Sequence, residues 1–220
     1  MLGALLLSAI KITFIDLVLS GDNAVVIAMA ARSLPSHQQK SAILWGGMAA
    51  ISLRVAVTAV VAYALAIPLL QLAGGVLLFW IACKLLKGGE EGTDVKAGST
   101  LWDAITTIVL ADLVMSLDNM LAVGGASHGS IPMLLFGLAV SMGVIMFASG
   151  LIADWMNRLS WLVYVGAGIL AWTAGEMILS DRWLHRIWSP TLALEYAIPA
   201  TLAALAVGFG LLMNRRTHQA

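Results

Sequence analysis

The chain has 220 residues, of which 60% are hydrophobic and only 11% charged, and its 12 basic and 12 acidic side chains cancel. A mean hydropathy of +0.94, with less than half the charge usual in soluble domains, excludes a soluble globular protein and predicts a polytopic membrane protein. The single cysteine, Cys83, excludes an intrachain disulfide and a cysteine-rich metal cage. No nucleotide-binding fold, nucleophile triad or nucleic-acid-binding pattern is present, so neither an enzyme nor a nucleic-acid partner is expected.

In chain order, seven apolar segments reach spanning length: residues 4–30, 41–66, 69–87, 101–126, 131–153, 160–180 and 192–213. Lys11 follows the apolar start, so the first segment reads as a retained helix rather than a cleaved leader. Breaks are predicted at Arg32 to Lys40, Pro68, Gly88 to Ser99, Ser127 to Pro132, Asp154 to Arg158 and Asp181 to Pro190. Residues 88–100 read as a solvated cytoplasmic linker between a first three-helix unit, 1–87, and a second, 101–180. Residues 181–220 add an outer loop, a seventh helix and a cytoplasmic tail.

Charge placement sets the expected orientation. Arg32, Lys40, Lys84, Lys87, Lys96, Arg158, Arg215 and Arg216 fall on one side of a seven-span arrangement, against Arg182 and Arg186 on the other. The positive-inside rule then puts the N-terminus outside and the C-terminus in the cytoplasm. A multi-pass protein of a bacterial cytoplasmic membrane is expected.

Inside two of the apolar segments the same pattern occurs twice. Asp16-Leu-Val-Leu-Ser20-Gly-Asp22-Asn23 and Asp112-Leu-Val-Met-Ser116-Leu-Asp118-Asn119 agree at six of eight positions and lie 96 residues apart. An Asp at the centre of a membrane helix costs about 2.5–3.5 kcal/mol to insert, so a duplicated motif carrying four of them points to use rather than accident. Three spans separate the copies, so the two units cross the membrane in opposite directions. Gly74, Leu78 and Trp80 match Gly166, Leu170 and Trp172, and this alignment also sets Lys84 opposite Glu176. The expected fold is an all-α inverted repeat, three helices plus three, with a seventh added. Secondary transporters favour that architecture and bind substrate near the midplane, at the repeat interface.

At about 100° per residue, Asp16, Ser20 and Asn23 share one stripe of a helix, as do Asp112, Ser116 and Asn119. Asp22 and Asp118 fall roughly 120° away, on a second wall unless the helix unwinds. Gly21 favours unwinding in the first copy, and Leu117 offers no such help in the second. Asp16 and Asp112 sit near mid-span, with Asp22 toward the cytoplasm and Asp118 toward the outside. The donor set is all oxygen, which suits Mn²⁺, Mg²⁺ or Ca²⁺ rather than copper or zinc. His37, His128, His185 and His218 all fall in loops or the tail, while Met29, Met115 and Met120 are near enough to add a softer ligand. Arg54, in mid-span, needs an acid or a chain of carbonyls around it. Arg54 and Lys11 together cannot neutralise Asp16, Asp22, Asp112, Asp118 and Glu176, so negative charge remains for protons or a cation.

At these residues the chain resembles the TerC family of integral membrane proteins, and most closely its short YjbE-type branch. The resemblance rests on DLVLSGDNAVVIAMA (16–30) and ADLVMSLDNMLAV (111–123), supported by Leu53-Arg54 and Ala-Gly-Glu-Met (174–177), and covers nearly the whole chain. The family is associated with manganese efflux and grouped with LysE-type exporters. The resemblance implies that Asp16, Asp22, Asn23, Asp112, Asp118 and Asn119 line the metal pathway, with Ser20, Ser116, Arg54 and Glu176 as further candidates.

The expectation is therefore a secondary exporter of Mn²⁺, coupled to protons, with Mn²⁺ as transported substrate and no permanently bound cofactor. Its partners are the lipid bilayer, the divalent ion and protons, and the sequence leaves a homo-oligomer open. Other readings are a different cargo (Ca²⁺, another cation or a small basic solute), a channel, or a membrane assembly factor that presents metal to exported proteins.

Overall fold

The computed structural model describes residues 10, 12–14, 16–58, 67, 69–87, 100–126, 131–188 and 190–217, and among these it is helical with no strand. The expected linker 88–99, Pro68, residues 127–130 and the end of the second expected span, 59–66, lie outside the described residues, as do Lys11, His128 and His218. Two short pieces, α1 (Ile12–Leu19) and α2 (Asn23–Arg32), meet at a bend of 58°. They are followed by α3 (Ser36–Thr58), α4 (Leu70–Lys87), α5 (Leu101–Ala126), α6 (Ile131–Arg158), α7 (Trp161–Leu179), the short α8 (Arg182–Ile187) and α9 (Leu192–Thr217).

Among the described residues, four helices are long and apolar enough to cross a membrane: Ser36–Val57, Leu135–Arg158, Trp161–Leu179 and Leu192–Met213. The pair α1–α2 makes a fifth when read as one broken span, and Leu70–Leu86 is a shorter apolar helix. The chain is an all-helical, multi-pass membrane protein.

Several boundaries differ from the sequence expectation, each for a local reason. Helix α3 begins at Ser36 rather than 41, because the Pro35 carbonyl accepts from the Gln38 N–H at 2.7 Å and the Gln39 N–H at 3.1 Å. The Gln39 side chain also donates to the carbonyls of Arg32 (3.2 Å) and Leu34 (2.9 Å), which closes the end of α2. Thr100 and Asp103 start α5 with a reciprocal pair: Thr100 Oγ1 accepts from the Asp103 N–H at 3.1 Å, and Asp103 Oδ2 accepts from the Thr100 N–H at 3.2 Å. Helix α6 runs through the predicted break at Asp154 to Arg158, a polar stretch containing no Gly or Pro. The expected outer loop holds α8, whose N-cap Asp181 accepts from the N–H groups of Trp183 and Leu184 at 2.9 and 3.2 Å.

Packing divides the helices into two groups. Helices α4, α7 and α9 pack on one another, while α3 lies along α5 and α2 along α6. Small residues set the close approaches, as expected where lipid supplies no hydrophobic drive between helices. A Cβ on Gly75 would fall 2.6 Å from the Ala174 carbonyl oxygen, and one on Gly175 would fall 2.6 Å from Pro199 Cα. Gly175 thus lets α7 press against α9 where Pro199 interrupts the helical N–H ladder. Ile27, Met29, Leu78, Ile108 and Leu170 are fully buried between helices. Phe14, Trp45, Phe147 and Leu212 point outward and are exposed, as a lipid-facing belt requires. Trp102, Trp155 and Trp161 are exposed near helix ends, positions suited to interfacial anchoring.

Candidate functional site

The bend between α1 and α2 is the local event on which the site depends. Residues Ser20 to Asp22 leave the helical path, and Asn23 restarts it, its N–H reaching the Ser20 carbonyl at 3.1 Å. Interrupting a membrane helix frees backbone carbonyls that need another partner. The Leu19 carbonyl finds one in the second motif copy, accepting from Asn119 Nδ2 at 3.0 Å. The first copy returns the contact, since Asn23 Nδ2 donates to Asp112 Oδ1 at 2.7 Å. Each asparagine thus reaches across to the other copy.

Arg54 of α3 sits between the two motifs. Its Nη1 donates to Asp16 Oδ1 at 2.9 Å and to Ser20 Oγ at 3.4 Å. Its Nε donates to Asp112 Oδ2 at 3.3 Å, and its Nη2 forms a close ion pair with Asp112 Oδ1. Asp16 also accepts from Ser20 Oγ at 3.4 Å and, at short range, from Ser141 Oγ of α6. Asp16, Arg54 and Asp112 are only 1%, 3% and 3% exposed, so this trio is removed from both lipid and water. One guanidinium against two carboxylates leaves a formal charge of −1.

Two acceptors at the helix break have no hydrogen-bond partner. Asn23 Oδ1 and Asp22 Oδ1 are buried and unbonded. Buried oxygens are nearly always satisfied in folded proteins, so each such exception calls for an explanation. Open oxygens at a helix break, close to a net negative charge, are acceptors an oxygen-liganded cation could engage.

Asp22 occupies the second wall. Its Oδ2 accepts from Thr173 Oγ1 at 3.3 Å, and it lines a cleft of about 480 Å³ together with Asn119, Met115, Thr173, Glu176 and Met177. Trp172 Nε1 holds Glu176 by donating to its Oε1 at 2.7 Å. The cleft continues to Ser180, His185, Glu195 and Tyr196. Sequence reading directed Asp22 toward the cytoplasm, whereas the cleft that holds it is shared with α8 and the start of α9, the segment expected outside. Among the described residues, no group of three or more His, Cys, Asp and Glu is set to hold a metal by itself. Any cation here needs amide, hydroxyl or backbone oxygens as well.

The structure therefore gathers Asp16, Ser20, Asn23, Arg54 and Asp112 into one buried cluster, and Asp22, Asn119 and Glu176 into the adjoining cleft. Among the described residues Ser116 is not bonded to the cluster; its hydroxyl donates to the Leu113 carbonyl at 3.2 Å. The Asp118 side chain lies outside the described residues. Of the candidate methionines, Met29 packs beneath Gly166 and Met115 lines the cleft, while the Met120 side chain is outside the described set. Sequence reasoning missed Ser141, Thr173, His185 and Glu195. A hydroxyl in an otherwise apolar span was the available signal for Ser141. His185 and Glu195 looked like loop and helix-end residues.

Comparison with known proteins places this geometry in a lineage. The profile described as "Integral membrane protein TerC family" matches residues 2–218. The Bacillus subtilis membrane protein YjbE is 44% identical over 202 residues, covering 92% of this chain and 93% of YjbE. The inner membrane protein YgdQ of Escherichia coli K12 is 30% identical over 183 residues, covering 70% of this chain and 76% of YgdQ. The longer E. coli inner membrane protein YoaE is 26% identical over 191 residues, which are 74% of this chain and 36% of YoaE. No solved structure matches.

Proposed function

The chain belongs to the TerC family of integral membrane proteins, and on that premise we propose that it is a secondary transporter that exports Mn²⁺ from the cytoplasm by proton antiport. The observation that carries this reading is the meeting of the two motif copies at one buried, net-negative cluster. Asn23 Oδ1 at that cluster and Asp22 Oδ1 in the adjoining cleft are left unbonded. A merely structural use of the acids does not account for these open acceptors.

The packing pattern supports an inverted repeat. Exchanging the two halves turns the α2–α6 contact into the α5–α3 contact, and leaves α4–α7 as its own counterpart. The tryptophans agree: Lys84 lies over the Trp80 ring at 5.4 Å, and Glu176 is bonded to Trp172 at the matching position. With the N-terminus outside, as the basic residues favour, the protein works in a bacterial cytoplasmic membrane. The inner-membrane names of YgdQ and YoaE accord with that placement.

In this reading Asp16, Asn23 and Asp112 supply the central oxygens, and Asp22, Asn119 and Glu176 line the approach. Met115, Met177 and His185 add softer atoms to the same cleft, which favours Mn²⁺ over Ca²⁺ or Mg²⁺. Moving two charges out of a cell held at −100 mV costs about 4.6 kcal/mol before any concentration gradient. Two protons entering per Mn²⁺ make the exchange electroneutral and draw only on the pH gradient.

The test is Mn²⁺ uptake by proteoliposomes with an acidic lumen. Saturable accumulation that collapses with the pH gradient, and is lost in Asp16→Asn, is the expected result. Flux indifferent to the gradient removes proton coupling. No flux from well-folded wild type favours another cargo or the assembly-factor role.

A further inference from the structure

We propose that Arg54 is a tethered counter-cation: its guanidinium holds Asp16 and Asp112 in the unloaded protein and must withdraw when the transported ion binds. This inference rests on the function proposed above and goes beyond it by giving the site an internal competitor for its cargo.

The argument begins with which oxygens are engaged. Arg54 takes Asp16 Oδ1, Ser20 Oγ and both carboxylate oxygens of Asp112. These are oxygens a hard cation at the meeting of the motifs would use, so a guanidinium and a metal ion compete for them, by charge repulsion as well as for lone pairs. Asn23 then becomes informative. Its amide nitrogen steadies Asp112, while its oxygen remains buried and unbonded with Arg54 in place. The cluster thus offers more acceptor capacity than the arginine fills.

A static ion pair explains the arrangement less well. Buried ion pairs often stabilise no more than well-packed apolar side chains of the same volume would. Arginine also cannot lose its proton inside a protein, so it yields the acids to another cation only by moving. Its flexible stem allows that. The arrangement has a kinetic use: the unloaded site never presents two bare carboxylates to a low-dielectric interior, and the returning guanidinium helps expel the ion. Bound metal stays weak enough to leave.

Arg54→Lys and Arg54→Gln separate this role from a structural one. A lysine ammonium is a point charge that cannot bridge both acids as the planar guanidinium does, so it competes less. Glutamine does not compete electrostatically. Mn²⁺ binding is measured on the purified full chain in detergent, from the electron paramagnetic resonance signal of free Mn²⁺, with flux followed in proteoliposomes. Affinity is expected to tighten about threefold in Arg54→Lys and roughly tenfold or more in Arg54→Gln, in line with the coupling of close charge pairs. Flux at saturating Mn²⁺ falls in the same order, because the tightened ion is slow to leave. Where Arg54→Gln fails to fold, Arg54→Lys, which keeps the charge, decides alone. Unchanged or weaker Mn²⁺ affinity in folded Arg54→Lys, beside a wild type that binds and moves Mn²⁺, overturns the proposal and makes Arg54 a fixed partner of the acids. A folded wild type that neither binds nor moves Mn²⁺ overturns instead the functional reading beneath it.

Discussion

The two motif copies are near-identical in sequence and different in structure. The first is broken at Ser20 to Asp22, with a bend of 58° between α1 and α2, whereas the second lies within the uninterrupted α5. Gly21 in one copy faces Leu117 in the other at the same motif position. Gly21 does not adopt the left-handed backbone, and a Cβ there would meet only the Leu17 carbonyl oxygen at 3.6 Å. Its contribution is thus a lowered preference for helix rather than a steric necessity. The consequence is a division of labour. The broken copy supplies a freed carbonyl and two unbonded oxygens, and the intact copy supplies a carboxylate fixed by Asn23 and Arg54. A duplicated sequence therefore need not give a symmetric site.

The comparison can be broken first at its acids. Asp112→Asn and Asp16→Asn each leave Arg54 with a single acid, a balanced pair, and weaken several hydrogen bonds to a charged group that are worth about 1.5–3 kcal/mol each, so they are expected to destabilise the protein most. Asp112→Asn should cost more, because Arg54 gives Asp112 two of its nitrogens and Asp16 one. Thermal unfolding in detergent orders them, and a reversed order would deny Asp112 its role as the fixed partner. The asparagines come next. Asn23→Ala removes a buried bond to a carboxylate and should cost about 1.5–3 kcal/mol, whereas Asn119→Ala removes a bond to a carbonyl at the cleft and should cost about 0.5–1.5 kcal/mol. Equal losses in the same unfolding assay would argue that the copies carry equal loads. The smallest effect belongs to the break itself. Gly21→Leu puts the second motif's residue into the first and biases the segment toward continuous helix by about 1 kcal/mol, which shifts the broken-to-continuous ratio about fivefold. Mn²⁺ flux should fall by no more than about that factor, and complete loss would mean that glycine is sterically required.

What the sequence disclosed follows from which interactions are local. The motif acids were legible because charge in a membrane span is costly, and its repetition at matched spacing is improbable without use. That Arg54 needed acids was legible too, but not that one guanidinium would take both Asp16 and Asp112. Ser141 shows the limit most clearly. Ser149, one pair of turns further along α6, donates to its own helix at Ile145 O, 2.6 Å away, whereas Ser141 also bonds Asp16, 125 residues distant. Nothing local distinguishes the two. The cleft was hidden for a related reason: Thr173, His185 and Glu195 converge from α7, α8 and α9, and helices apolar on every side give little pattern from which to read a facing direction. Helix ends moved where a cap decided them, as Pro35 and Gln39 do at the start of α3.

The central claim is that the two copies build one cation site rather than two. Equilibrium dialysis of Mn²⁺ against the purified wild type, Asp16→Asn and Asp112→Asn tests it most directly. The account predicts one saturably bound ion per wild-type chain, lost in either variant alone. Two ions per chain, each removed by only one of the substitutions, would contradict it.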